Sequence, residues 1–318
     1  MGLRAPRSTS GIMATVLAAL VPGITAMTAV WGFGVVWNVL WLSVFCIAIE
    51  AIALYLRGNQ NWPELRFQLR DYSTLVTAWL MAIALPPQLP LGILLVASLA
   101  AIGLAKHAYG GLGRNVFNPA MVGYAVVLIS YPAHLAVWPL LQPELTDALS
   151  GATLLSEFRF RDGLTADEFT LTYATAFKAQ QMIPWAFAAG GAVLLYLKLI
   201  AWRIPAGIFA GLALCALFGN DSGSSQSLGS MGLHLTSGGL VAAAFFVATD
   251  PVTHPHRRAH QFMFGLGVGM LVYLMRGFGT QPDGIAFAIL LANCVTPLLN
   301  RRPAKNKDPA PAAEQQNG

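Results

Sequence analysis

Long apolar runs, separated by short polar and charged clusters, fill the chain from residue 11 to residue 300. Ten runs can be marked, at 11–31, 35–56, 72–86, 90–108, 117–133, 183–200, 203–219, 233–249, 260–276 and 283–300. Each predicts a helix, because apolar stretches of this length satisfy their backbone polar groups internally when they cross a bilayer. Several fall short of the roughly 20 residues that span a hydrocarbon core of about 30 Å. The run from Tyr72 stops at Pro86-Pro87, and the run from Phe117 opens on Asn118-Pro119 and closes at Pro132. Short or proline-broken spans are expected where backbone lines a cavity or a cofactor. The predicted fold class is an all-α polytopic membrane protein with about ten transmembrane helices.

The same pattern carries a weak internal similarity. Leu75–Ala78 through Leu85-Pro86-Pro87 is similar to Leu240–Ala243 through Asp250-Pro251. Lys106–Gly110 through Asn118-Pro119 is similar to Met275–Gly279 through Gln281-Pro282. Spans 1–5 would then repeat as spans 6–10, and an odd number of spans inverts the second half relative to the first. Chance likeness between Gly- and Ala-rich helices is the competing explanation. The expected organisation is a first transmembrane half at 1–133, an outer-face loop at 134–182, a second half at 183–300, and a disordered cytoplasmic tail at 301–318. That tail is basic, then rich in Pro and Ala, then polar.

Charge sets the expected orientation. With the N-terminus in the cytoplasm, all but four of the 19 Lys and Arg fall on the inner side, the exceptions being Arg159, Arg161, Lys178 and Arg276. Both termini are then cytoplasmic, and the loop around residue 153 lies outside, in the periplasm if the cell is bacterial. Composition agrees: 56% of residues are hydrophobic and 10% charged, against about 25% charged in soluble domains. The pI of 9.3 does not signal nucleic acid, because the basic residues are scattered between apolar runs rather than gathered in a patch. Cys46, Cys215 and Cys294 each sit inside an apolar run, unpaired in any CxxC, and are expected as small core residues. No clean cleavage site follows the first run, which is expected to stay as a span and not as a removed signal peptide.

Four stretches carry candidate chemistry. Gly110-Gly111-Leu112-Gly113-Arg114-Asn115-Val116-Phe117-Asn118-Pro119 joins two spans. Its glycines permit a tight turn or close approach to a flat ligand. Asn115 and Asn118 could read a heterocycle edge, and Asn118 before Pro119 is also a natural helix N-cap. Glu50 lies inside the second run, where a carboxylate is costly and marks a cation or proton site unless it pairs with Arg57. Asp250, at the end of the eighth run, is either a cap or an ion-pathway residue. His254–His260 has the look of a metal run, but its Pro and Arg content favours a solvated basic loop; no metal is expected. The polar island Asp147–Leu154 is the fourth, with Ser150-Gly151-Ala152-Thr153 near its end.

Together these stretches resemble a known family, that of the D subunits of Rnf electron-transport complexes and the B subunits of Na+-translocating NADH:quinone oxidoreductases. The matching residues are Thr9–Met13, Val21–Ile24, Glu50-Ala51, Leu56-Arg57, Ala84–Pro87, Tyr109–Pro119, Ser150–Thr153, Ala248–Val252 and Ala286–Pro297. The short segment before the first span is closer to the Rnf D subunits, and the His-rich 254–260 loop departs from the pattern.

The resemblance implies an FMN esterified through its phosphate to Thr153, with Ser150, Gly151 and Ala152 as small neighbours. It also implies a non-covalent riboflavin, for which Asn115, Asn118, Gly111 and Gly113 are the matching residues. The chain would relay electrons in the bacterial inner membrane, coupled to Na+ or H+ movement through Glu50 and Asp250. Its partners would be the other subunits of an Rnf-type complex and a flavin transferase for maturation, with no catalytic residue and no complete activity in this chain alone. The alternatives are a cofactor-free secondary transporter or channel with inverted repeats, and a purely structural membrane subunit.

Overall fold

The computed structural model describes residues 8–58, 63, 66, 69–139, 150, 151, 153–161, 163–221, 223–279 and 283–301. Asp147, Ala148, Leu149 and Ala152, and the tail beyond Arg301, lie outside them. The described protein is an all-α membrane protein. Helix α1, Thr9–Trp31, starts where the Ser8 hydroxyl accepts from Gly11 N–H at 3.2 Å, and Gly32 closes it ahead of α2, Gly34–Leu56. Helix α3 runs over Ser73–Ala84 and ends at the Leu85-Pro86-Pro87 break. The buried Asn38 amide of α2 donates to Pro86 O at 2.7 Å, supplying that broken backbone with a partner. Helix α4, Leu91–Ser98, continues as a π-helical stretch over Leu99–His107. The glycine turn leads into α5, Pro119–Ser130, followed by the single turn α6, Pro132–Leu135.

The expected outer loop is partly helical. Strands β1, Trp138–Pro139, and β2, Ser150–Gly151, form a two-residue antiparallel ladder with Trp138 opposite Gly151. Helices α7, Leu154–Arg159, and α8, Ala166–Thr172, follow. Both open on a threonine cap, and Thr165 with Glu168 forms a complete capping box. Phe158, Phe169, Phe177 and Leu233 build a small separate core under this segment, with the Phe169 and Tyr173 rings 4.5 Å apart. Arg161 fastens it by donating to Phe158 O, Leu164 O, Ser225 O and Ser227 O.

Helix α9, Ala174–Tyr196, begins nine residues before the apolar run expected at 183, because its first turns pack on that small core. Helix α10, Arg203–Gly219, then packs on α13, Arg258–Phe278. Glycines on both helices let the backbones meet: a Cβ on Gly211 would lie 2.2 Å from Leu266 O, and one on Gly269 2.0 Å from Ile208 O. The run expected as one helix at 233–249 is broken. Helix α11, Met231–Thr236, stops, Ser237-Gly238-Gly239 turns, and α12, Leu240–Ala242, resumes as a π-helical stretch over Ala243–Val247. Helix α14, Ile285–Leu299, ends the described bundle.

Among the described residues, α1, α2 and α13 are long and apolar enough to cross a membrane by themselves, while 73–84, 91–107, 119–130, 203–219 and 285–299 are shorter apolar helices. Large apolar side chains such as Leu217 and Phe218 point outward, as a lipid-facing exterior requires. Of the three cysteines, only Cys46 is a core residue; Cys215 is half-buried and Cys294 exposed, because α14 turns that face away from its neighbours.

Candidate functional site

Helix α3 links the two polar regions of the bundle. Its first turn, at Ser73 and Thr74, touches one, and its last residues, Leu80, Ile83 and Ala84, line the other. Ten residues of helix put about 15 Å between them.

The first region is a buried charge cluster. Glu50 Oε1 lies 3.0 Å from Lys106 Nζ, and its Oε2 lies 3.0 Å from His107 Nε2. Lys106 also donates to Ser73 Oγ at 3.0 Å and Thr74 Oγ1 at 2.9 Å. The π-helical winding after α4 presents two consecutive residues to one carboxylate. Arg57 does not pair with Glu50; its guanidinium donates to His107 O at 2.5 Å, closing the end of the π-helical stretch.

Beside this cluster sits the glycine turn. Gly110, Gly111 and Gly113 have φ of 114°, 96° and 81°, which side-chain-bearing residues rarely adopt. Asn115 Nδ2 donates to Phe117 O at 3.0 Å, within the turn itself. Asn118 caps α5 by accepting from Met121 N–H at 3.3 Å, and its Nδ2 donates to Val247 O at 3.3 Å and to Asp250 Oδ2 at 3.5 Å. Asn293 Oδ1 accepts from Asn118 N–H at 3.1 Å, and Asn293 Nδ2 donates to Thr253 O at 3.2 Å. Asp250 in turn accepts from Val252 N–H and Thr253 Oγ1. The structure thus brings Asn118 and Asp250 together, and neither is among the residues that line the cavity on which Thr153 sits. Among the described residues no group of His, Cys, Asp and Glu could hold a metal. In the His-rich loop, His254 is buried with its Nδ1 2.8 Å from Pro255 O, so only part of that loop is solvated.

The second region is a cavity of about 480 Å³. Its lining comes from both ends of the sequence and from the segment between them. Trp31, Tyr124, Trp138, Phe160, Tyr173 and Phe187 supply aromatic surface. Trp31 and Trp138 meet edge to face at 5.0 Å, so the β1–β2 ladder holds an aromatic wall and, two residues beyond Gly151, Thr153. Thr153 lines the cavity as the N-cap of α7, its Oγ1 accepting from Ser156 N–H at 3.2 Å. That bond uses a lone pair and leaves the hydroxyl proton free. Tyr173 lines the same cavity; burial, reinforced by the Glu157 carboxylate, holds its hydroxyl pKa above the ordinary value, so it keeps its proton at neutral pH.

The polar lining on the far wall was not foreseen from the sequence. Asp283 lines the cavity and takes Arg276 Nη2 at 2.6 Å, while Gly239 N–H donates to its Oδ2 at 3.2 Å. Arg276 Nη1 donates to His234 O at 2.8 Å. The pair therefore bridges the break in the 231–247 segment, one member holding the end of α11 and the other the start of α12. A lone Arg inside an apolar run, with an Asp seven positions later, was the available signal.

Comparison with known proteins agrees with the resemblance carried by the motifs. The model of the NQR2, RnfD, RnfE family matches residues 3–307. The D subunit of the ion-translocating oxidoreductase complex of Pseudomonas paraeruginosa is 42% identical over 318 residues, covering 94% of this chain and 91% of the relative. The corresponding protein of Ectopseudomonas mendocina is 41% identical over 312 residues, covering 92% and 89%. That of Vibrio cholerae is 36% identical over 333 residues, covering 94% of each. This chain belongs to the NQR2, RnfD, RnfE family.

Proposed function

We propose that this chain is a membrane subunit of an ion-translocating oxidoreductase complex and carries an FMN esterified through its phosphate to the Thr153 hydroxyl. The relatives' names support the complex and the oxidoreductase setting. One observation carries the cofactor assignment: Thr153 opens onto an aromatic-walled cavity whose volume lies within the roughly 300–1,000 Å³ of small-molecule sites. The residues present fit the group. Trp31, Trp138, Tyr173 and Phe187 offer faces for a flat ring, and the Thr153 hydroxyl is free to form a bond to phosphorus. Forming the ester releases the hydroxyl proton and displaces a leaving group from phosphorus, so a flavin transferase must bring an activated FMN. Bound flavin supplies one- and two-electron chemistry; the protein supplies attachment, an apolar surround and exclusion of water.

Ten spans arranged as two inverted five-helix halves, 1–133 and 183–300, complete the proposal. The shortened or broken segments at 73–84 and 240–247 occupy corresponding places in the two halves and both line the cavity, which supports that reading. Ser150–Thr153 would face the periplasm, and both termini the cytoplasm, in a bacterial inner membrane. Glu50 and Asp250 would serve the path of Na+ or H+ at the opposite side of the bundle. Riboflavin enters through the family resemblance alone. The Asn115 and Asn118 amides are engaged inside the protein, and no step is routed through that group.

The test is in-gel flavin fluorescence of the protein co-expressed with a flavin transferase. Wild type is expected to fluoresce, and Thr153→Ala to lose the signal completely while still folding. A dark wild type would favour the second reading, a cofactor-free transporter or channel, for which the broken 231–247 segment beside a cavity is the motivating observation. For the ion pathway, Glu50→Gln is expected to keep flavin fluorescence and slow ion translocation; unchanged pumping would remove Glu50 from it.

A further inference from the structure

Gln180 is the unexplained polar group of the cavity. It sits in the first half of α9, on the wall that also carries Tyr173, Ile183 and Phe187. It is 6% exposed, and its Oε1 has no hydrogen-bond partner among the described residues. A buried amide oxygen without a partner has lost its water and gained nothing in exchange, which disfavours an amide at this position. The residues nearest it on that wall are apolar or aromatic, so nothing local explains an amide there in place of a leucine. Asp283, on the same cavity, is engaged by Arg276 and Gly239, and Thr153 Oγ1 accepts from Ser156 N–H, whereas the Gln180 oxygen is both buried and without such a contact among the described residues.

We infer that Gln180 is a specificity residue of the cavity, whose side-chain amide pairs with the donor–acceptor edge of the planar ring bound there. The chemistry is that of amide recognition. A carboxamide carries one acceptor and two donors in a plane, and a ring edge with an N–H beside a carbonyl presents the complementary pattern. A flavin's pyrimidine edge has this pattern; a quinone, with acceptors only, could take the amide's donors and would leave its oxygen unpaired. The assignment of O and N within the Gln180 amide does not matter, because a rotation of the group exchanges them. The inference rests on the proposed cavity cofactor and adds what would orient it: Thr153 fixes one end of the group covalently, and Gln180 fixes the rotation of its ring. Gln180 is a positioning residue, so its effect should show in the state of the bound ring as well as in turnover.

The experiment compares Gln180→Met, which keeps length and removes the polar group, in two backgrounds: the flavin-loaded protein and Thr153→Ala. Two readouts are taken, the visible absorption spectrum of the attached flavin and the melting temperature of each protein. In the Thr153→Ala background the substitution is expected to raise Tm by about 2 °C or more, because an unpaired buried amide is removed. In the loaded protein it is expected to lower Tm and to shift the flavin absorption bands. Gln180→Asn, one methylene shorter, should shift the bands in the same way and leave the bundle folded. An equal Tm change in both backgrounds, or an unmoved spectrum in both variants, would overturn the inference while leaving the Thr153 assignment standing. A wild type without attached flavin would overturn the Thr153 assignment, and the role of Gln180 with it.

Discussion

The two polar regions of this bundle differ in how tightly their groups are packed. Around Glu50, a carboxylate, an ammonium, an imidazole and two hydroxyls are packed until each carboxylate oxygen lies 3.0 Å from a nitrogen and Lys106 has three neighbours. Around Thr153, the protein leaves about 480 Å³ open, with a Gln180 amide oxygen on its wall that has no partner among the described residues. The first arrangement holds charge where lipid would forbid it; the second holds space where a chain would ordinarily close it. The charge cluster leaves no comparable open volume, although His107 Nδ1 has no hydrogen-bond partner among the described residues, whereas the aromatic-lined cavity is open. The two regions lie about 15 Å apart along α3, and the proposed function gives the ion path to the first and the flavin to the second.

The contrast can be broken by substitutions that remove one feature at a time. Glu50→Ala should have the largest effect on stability, about 3–5 kcal/mol, because Lys106 stays buried without its counter-charge. Chemical denaturation in detergent should show it, with Glu50→Gln milder. Asp283→Ala should cost less, about 1.5–3 kcal/mol, because Arg276 keeps its bond to His234 O and the Asp283 side chain is about one-third exposed. Ala243→Phe should reverse the order of effects. It places a ring into open cavity, so Tm should move little while fluorescent flavin is largely lost; equal loss of both would mean that the cavity is not where the flavin sits.

The smallest effect is expected outside the bundle, at the capping box of α8. Thr165 N–H and Oγ1 both donate to the Glu168 carboxylate and hold its pKa below the ordinary value. A depressed carboxylate stabilises the fold above its unfolded pKa, and that contribution fades as pH falls through the lower folded pKa. Thr165→Ala should therefore lower Tm slightly at neutral pH and by less in strong acid, where only the cap from Glu168 N–H to Thr165 Oγ1 is lost, by scanning calorimetry at two pH values.

Much of the architecture was legible because it follows from local rules. Most of the apolar runs carry a helix, although 117–133 is interrupted at Tyr131 and 90–108 changes to π-helical winding at Leu99, and Asn118-Pro119 announced the N-cap that the structure shows. The break at Ser237–Gly239 was hidden, because its small residues sit inside an apolar run without a proline. Glu50 stood out as a carboxylate in an apolar setting, but its partners lie more than fifty residues away, and the nearest candidate in sequence, Arg57, took a backbone carbonyl instead. Arg276 and Arg161 counted against the expected charge asymmetry. Both are committed to contacts inside the protein, and a tally of charges cannot separate such residues from free topology signals. Thr153 was singled out through the family resemblance that its tetrapeptide helps to carry, whereas Gln180 had no pattern: an amide in an apolar helix becomes informative only when the space beside it is seen.

The covalent bond proposed at Thr153 underlies both the flavin assignment and the role given to Gln180. Mass spectrometry of the proteolytic peptide containing Thr153, from protein co-expressed with a flavin transferase, tests it most directly. A phosphoester at this position predicts a peptide heavier by one FMN less one water, with the added mass located on Thr153. A peptide found only in its unmodified form, or a flavin located on another residue, would contradict it.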